Sequence, residues 1–422
     1  MDETTTRARG FLRGGASIAV AMGIMNIATY GYTVIAAHLI GPSAFGAFSA
    51  LMGVLLVVNV LSLGLQATGA RRISAAPEQA AAIERLVLKV SYRSAAALGA
   101  LCLLLAPVFD RVLRLDSLPT AMMVAVAAAP LTLMGGQAGV LQGERRWEPL
   151  ALIYLAQGLG RVGCGVVLLL IWPTELAAVV GVAIGAWLPV IVGAVALRRP
   201  RAVPLDLDHE HAGVDLLREV GTSSQALLAF FALSNADILL ARAVLDGPQA
   251  GLYAGGLILV KAILFLPQFV VVIAFPAMAT RGASRKTLAA ALVVAMTLGI
   301  VGLLGTLALP RLALVFVGGS GFEAISDRLW QFAIVGTLLS MIQLLLYSVL
   351  ARQQWRSVLM IWTSLAVLLG LGFSVGSVGS LVTLVCLIDG ALFVGLLLSA
   401  ALAPSARLVE THPADPGHAA AG

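Results

Sequence analysis

Five ionisable residues sit inside stretches that otherwise suit an apolar solvent. Arg161 lies in "GLGRVGCG", Lys261 in "LILVKAILF" and Asp389 in "CLIDGAL", each near the middle of an apolar run, while Asp237 and Arg242 share "SNADILLARAVLDGP". A charge at mid-membrane depth costs roughly 2.5–3.5 kcal/mol on the insertion scale, so each must face a cavity or a partner. The residue types suggest two chemistries. Lysine and arginine with no acid close in sequence suit an anion such as a pyrophosphate. Aspartates at such depth suit a cation or an exchanging proton. Lys261, Arg161 and Arg242 are therefore the candidate substrate-binding residues, and Asp237 and Asp389 the candidate coupling or gating residues. Asp237 and Arg242 are five residues apart, a poor same-face spacing. They also read as a structural pair, and Arg242 as a side chain that snorkels outward. Asn26, Asn59, Gln66, Gln137, Gln157, Asn235 and Gln268 could line a polar passage or simply bond between helices. Pro130 and Pro267 are candidate hinges, or kinks satisfied by neighbouring helices.

The elements that position these groups follow from composition. The chain is 60% hydrophobic and 11% charged, with mean hydropathy +0.98. So few charges cannot cover the surface of a soluble protein of 422 residues. Apolar runs of about 20 residues, enough to cross a bilayer core as helix, recur along the chain. They predict an all-α polytopic membrane protein with twelve spans, near 16–39, 44–68, 88–109, 119–141, 150–171, 176–197, 219–243, 249–275, 287–309, 325–350, 357–377 and 379–403. With the N-terminus inside, 20 of the 27 lysines and arginines fall in cytoplasmic segments and 4 in outer ones; only Arg161, Arg242 and Lys261 stay in the membrane. Such asymmetry predicts a multi-pass protein with both termini cytoplasmic. The net charge of +6 is thus spread between spans, which argues against a nucleic-acid partner. Cys102, Cys164 and Cys386 lie in apolar runs, with no pairing pattern.

The longest polar break, residues 198–218, reads as a cytoplasmic linker between an N-terminal six-helix bundle (16–197) and a C-terminal one (219–403). Residues 1–15 form a cytoplasmic N-terminus and 404–422 a disordered tail. Asp206, Asp208, His209, Glu210 and His211 imitate a metal cluster, but a solvated linker explains them without a metal. The halves look repeated. "AFGAFSA" matches "AGLYAGG", pairing Gly46 with Gly251 and Phe48 with Tyr253 at an offset of 205, each after a Gly-Pro. Phe109 and Phe316 pair at 207, and Trp147 and Trp355 at 208. Two parallel six-span repeats place the repeat axis along the membrane normal.

These same stretches carry a family resemblance. "HLIGPSAFGAFSA" resembles the first-loop pattern of oligosaccharide/polysaccharide flippases (Wzx-like) of the multidrug/oligosaccharidyl-lipid/polysaccharide (MOP) superfamily. "LQGERRW" resembles the motif after that family's fourth span, and "FVGGSGF" the loop before its tenth. The stretch from Asp237 to Pro276 is similar to its seventh and eighth spans, including Arg242, Gly251, Tyr253, Lys261 and Pro267. The resemblance covers nearly the whole chain. It implies two pseudo-symmetric six-helix bundles around a central cavity, of MATE-like architecture, working by alternating access. It also implies export of a polyprenyl-pyrophosphate-linked glycan across a bacterial plasma (inner) membrane, with membrane lipids and glycan-assembly proteins as partners. Two alternatives remain: a multidrug/organic-cation antiporter of the same superfamily, and a membrane-embedded glycan polymerase or ligase. The first would want acids in the first six spans, where none is placed; the second would want a sizeable outer loop. No Walker A sequence or nucleophile–base set is present, so the chain reads as a non-enzyme without catalytic residues, cofactor or metal.

Overall fold

The computed structural model describes residues 3–115, 117–199, 209–278, 284–352 and 355–402, with side chains over 15–115, 117–199, 213–264, 288–346 and 355–401. The described residues are helical, with no strand among them. The first half holds α1 (Glu3–Val58), α2 (Val60–Ala75), α3 (Ala80–Leu113), α4 (Leu118–Gly143), α5 (Trp147–Ile171), α6 (Glu175–Gly185) and α7 (Trp187–Leu197). The second holds α8 (His209–Val244), α9 (Gly247–Met278), α10 (Ser284–Ala308), α11 (Pro310–Val317), α12 (Leu329–Arg352), α13 (Trp355–Gly372) and α14 (Val378–Leu402).

Eleven helical stretches among the described residues are long and apolar enough to cross a membrane. The first, Gly15–Ala75, has 61 residues. At 1.5 Å per residue that is about 90 Å, some three times a hydrocarbon core, so it must cross twice. The break is at Gly41, whose φ of 72° and ψ of 173° leave the helix just before Pro42. Glycine takes this left-handed φ without the steric cost of a Cβ. Twelve crossings result: α1 before Gly41, the rest of α1 with α2, then α3, α4, α5, α6 with α7, α8, α9, α10, α12, α13 and α14. Helix α8 begins at His209, so the last residues of the expected linker are already helical. The side chains of the candidate metal cluster, the tail 404–422, and Gln268 and Pro276 as side chains lie outside the described residues.

The side on which α7 ends and α8 begins is called here the linker face; the Gly41 turn, the α3–α4 turn and the α8–α9 turn lie at the opposite, far face. The halves meet where α1 packs on α8 and α9, and where α2 and α3 pack on α8. At the far face this junction is tight. A Cβ on Gly46 would lie 3.0 Å from the Gly251 backbone, and one on Gly251 would lie 2.0 Å from the Pro42 carbonyl oxygen. The repeat-related glycines thus lie together at the junction, Gly46 against Gly251 and Gly251 against Pro42 and Ser43. Buried aromatics surround them. Phe45 meets Phe322 of the other half edge-on with centroids 6.0 Å apart, Tyr32 meets Phe48 at 5.9 Å, and Tyr253 meets Phe332 at 5.3 Å. Edge-to-face stacking of this kind adds to the burial of apolar area.

Candidate functional site

Four of the five charged residues come together around the junction of the halves. Asp237, on α8, is 3% exposed. Its Oδ1 accepts the Ile238 backbone N–H at 2.8 Å and its Oδ2 accepts the Tyr253 hydroxyl at 3.0 Å. Lys261 lies eight residues, about two turns, beyond Tyr253 on α9 and is within electrostatic range of both Asp237 and Arg161. Arg161, on α5 of the first half, also senses the Tyr32 hydroxyl of α1. Asp389, on α14 and 2% exposed, senses Asp237. A chain of polar groups therefore runs Tyr32, Arg161, Lys261, Asp237, Asp389, starting in one half and ending in the other.

The two signs are housed differently. Both acids are sealed in the wall, whereas Arg161 and Lys261 are half-buried and keep accessible surface. Among the described residues neither cation takes part in an ion pair; the pairs present use Arg71, Arg72 and Arg146. Cations placed this way can hold an anion between the halves.

Arg242 lies elsewhere. Its Nε donates to the Leu113 carbonyl at 2.8 Å and its Nη2 to the Arg114 carbonyl, both at the C-terminal end of α3. Arg114 reciprocates from its left-handed cap position (φ 49°), donating to the Ala243 carbonyl at 2.9 Å and the Leu245 carbonyl at 3.1 Å. The last carbonyls of a helix lack intrahelical donors, and arginine is well suited to supply them. Each half thus caps a helix of the other at the far face. Asp237 takes its bonds from Ile238 and Tyr253 rather than from Arg242.

Toward the linker face, the end of α1 and then α2 run antiparallel to α8 in one register. Gly53 lies against Asn235 and Gly64 against Ser224. The Asn235 Oδ1, Ser224 Oγ and Thr68 Oγ1 atoms are buried there without a hydrogen-bond partner. The seam ends in a clasp: Glu219 Oε2 accepts Arg72 Nε at 2.8 Å and Nη2 at 2.6 Å, and Oε1 accepts Arg71 Nη2. Pro130 is buried inside α4, and Pro267 falls within α9, its side chain outside the described residues. Gln66 donates to Gln142 at 2.9 Å and to Tyr154 at 2.7 Å within the first half. Sequence reasoning gave no role to Tyr32, Arg114 or Glu219. Tyr32 and Glu219 have no local motif, and their partners are more than 120 residues away.

Similarity to solved structures shows the fold. The chain superposes on the lipid II flippase MurJ in an inward closed conformation with TM-score 0.71, at 12% identity, over 91% of this chain and 87% of that one. A multidrug resistance MATE family transporter of the MOP superfamily matches in its inward-facing conformation with TM-score 0.65, at 15% identity, over 91% of this chain and 97% of that one. An outward-facing conformation of such a transporter matches with TM-score 0.55, at 14% identity, over 93% and 94%. At these identities the likeness shows the fold alone: two six-helix bundles arranged as in those proteins. The sequence itself goes further. Residues 11–281, more than half of the chain, match the model of the polysaccharide biosynthesis protein family, and the chain belongs to that family. Among curated proteins, none matches the sequence. The chain is thus a multi-pass membrane protein of the polysaccharide biosynthesis protein family, with the fold seen in MATE transporters and MurJ.

Proposed function

We propose that this protein moves a polyprenyl-pyrophosphate-linked glycan across a bacterial plasma membrane, with the linker face cytoplasmic. The observation that carries the proposal is the pairing of Arg161 and Lys261, one from each half, partly exposed and joined to no acid by an ion pair among the described residues. Two like charges held within electrostatic range repel one another, and an anion between them relieves that repulsion. A pyrophosphate suits the guanidinium fork of Arg161 and the ammonium of Lys261. The lipid tail stays in the bilayer while the halves rock about the far-face contact. An outward-moving dianion in an inside-negative cell gains about 4.6 kcal/mol per 100 mV, since each charge is worth about 2.3. Asp237 and Asp389 are assigned to coupling or gating: two buried acids within electrostatic range of one another suit a shared proton or a sodium ion. Those acids also favour a second reading, exchange of an organic cation.

Reconstitution into liposomes with a defined lipid-linked glycan tests the proposal. Arg161→Gln and Lys261→Gln should each reduce flipping roughly ten- to hundredfold, the loss of a charge-assisted bond worth about 1.5–3 kcal/mol, without lowering the amount of folded protein. Lys261→Arg keeps the charge and should retain part of the activity. Normal flipping by both Gln variants would overturn the anion assignment. Organic-cation efflux that depends on Asp237 and Asp389, with no glycan flipping, would favour the second reading.

A further inference from the structure

Helix α3 has 34 residues, about 51 Å, more than the 40–45 Å of a whole bilayer with its headgroups. One face of it is exposed throughout. From the far end this face carries Val112, Val108, Leu104, Leu101 and Ala97, three or four residues apart, an exposed apolar surface suited to lipid. Continuing toward the linker face, the same stripe becomes Arg93, Lys89 and Arg85, all exposed and each one turn from the next. The opposite face of that segment, with Ile83, Leu86, Val87 and Val90, is buried against Leu216 and Val220 of α8 and neighbouring residues.

Depth follows from the helix itself. Phe109 and Lys89 are 20 residues apart, about 30 Å, which is the thickness of the hydrocarbon core. With Phe109 at one boundary, which leaves Asp110 and Arg111 outside the core, Lys89 stands at the other, Arg85 falls about 6 Å beyond it and Arg93 about 6 Å short of it. Tyr92, 57% exposed beside Arg93, is the kind of aromatic that marks this interface. Helical side chains lean toward the helix N-terminus, here the linker face, so Arg93 extends out of the hydrocarbon toward the phosphates. None of the three cations takes part in an ion pair among the described residues.

We infer that Arg93 and Lys89, with Arg85 at the margin, form a binding track for the phosphate headgroups of anionic phospholipid in the leaflet at the linker face. Charge complementarity and continuity with the lipid-facing stripe identify the occupant. The track lies on the open outer surface of α3, which bilayer phospholipid bathes at all times. It requires no particular transported substrate.

The test uses the full chain with Cys102, Cys164 and Cys386 replaced by alanine and Ala96→Cys labelled with bimane, in liposomes. Quenching is compared for nitroxide-labelled phosphatidylglycerol and phosphatidylcholine. Each cation near an anionic surface is worth about fivefold, so phosphatidylglycerol should be preferred about tenfold, allowing for screening. The preference should fall to about twofold or less in Lys89→Gln/Arg93→Gln, with melting unchanged because both positions are exposed. Each single variant should fall between. Equal quenching by the two lipids, or a preference that survives the double substitution, would overturn the assignment. So would displacement of phosphatidylglycerol by an equimolar polyprenyl phosphate, which would make a carrier lipid the occupant.

Discussion

Replacing Arg242 by methionine should loosen the far face more than replacing Arg114. Arg242 is 5% exposed and gives two hydrogen bonds to the carbonyls that end α3. A hydrogen bond from a charged donor contributes about 1.5–3 kcal/mol, and buried carbonyls left behind add a desolvation cost. Arg242→Met should therefore cost about 3–5 kcal/mol of the contact between the halves, while Arg114→Met, whose side chain is exposed, should cost nearer 1 kcal/mol. Because Arg242 Nη2 bonds to the Arg114 carbonyl while Arg114 holds the end of α8, the two substitutions should be coupled by about 1 kcal/mol or more in a double-mutant cycle. Two measurements read this. Thermal melting in detergent should fall further for Arg242→Met, with partial recovery in Arg242→Lys, which keeps one charged donor group but not the fork. In a cysteine-free background, Ala250→Cys, fully buried at the far-face junction, should become labelled by an impermeant maleimide from the far face. Additive effects together with unchanged labelling would refute the idea that reciprocal capping holds that face shut.

Other outcomes follow from neighbouring contacts. Glu219→Gln should release Arg71 and Arg72, at a cost near 1 kcal/mol that shrinks at high salt, and raise labelling of Ser224→Cys from the linker face; labelling that does not respond would show that the clasp is incidental. Gly251→Leu leaves no room beside Pro42, so flipping should fall and Ala250→Cys labelling should rise even with both arginines intact. Tyr253→Phe removes the hydroxyl that bonds Asp237 and should lower thermal stability by about 1–3 kcal/mol, a loss not expected of Tyr92→Phe on the exposed face.

The spans were legible in the sequence because apolar length and the placement of arginine are one-dimensional signals. Even the doubled first stretch could be divided, since Gly41-Pro42 interrupts it. Cytoplasmic placement of the linker face rests on the same charge asymmetry. Ionisable residues inside apolar runs were equally visible. What spacing could not give was partnership. Arg161 and Lys261 are 100 residues apart, and only the packing of α5 and α9 around α1 brings their charges within range. Arg242 looked like its fellow cations in sequence, yet its bonds serve the end of α3, because helix ends create acceptors that no residue type announces. The Arg71–Arg72–Glu219 clasp was hidden for the converse reason: each member reads as an ordinary charge at the border of a span.

The contact of Gly46 with Gly251 has an arithmetic that ordinary side-chain contacts lack. Gly46 and Gly251 pair in the sequence repeat, so one place in the repeat occurs twice at the junction and meets itself. A half-length chain of this kind, paired side by side with an identical copy, would bring that glycine against its own image. Any side chain introduced there would then be counted twice, once from each copy. In one chain that holds both halves the doubling is gone: either glycine can vary alone, and the first larger residue accepted on one side must find its space at the expense of the other.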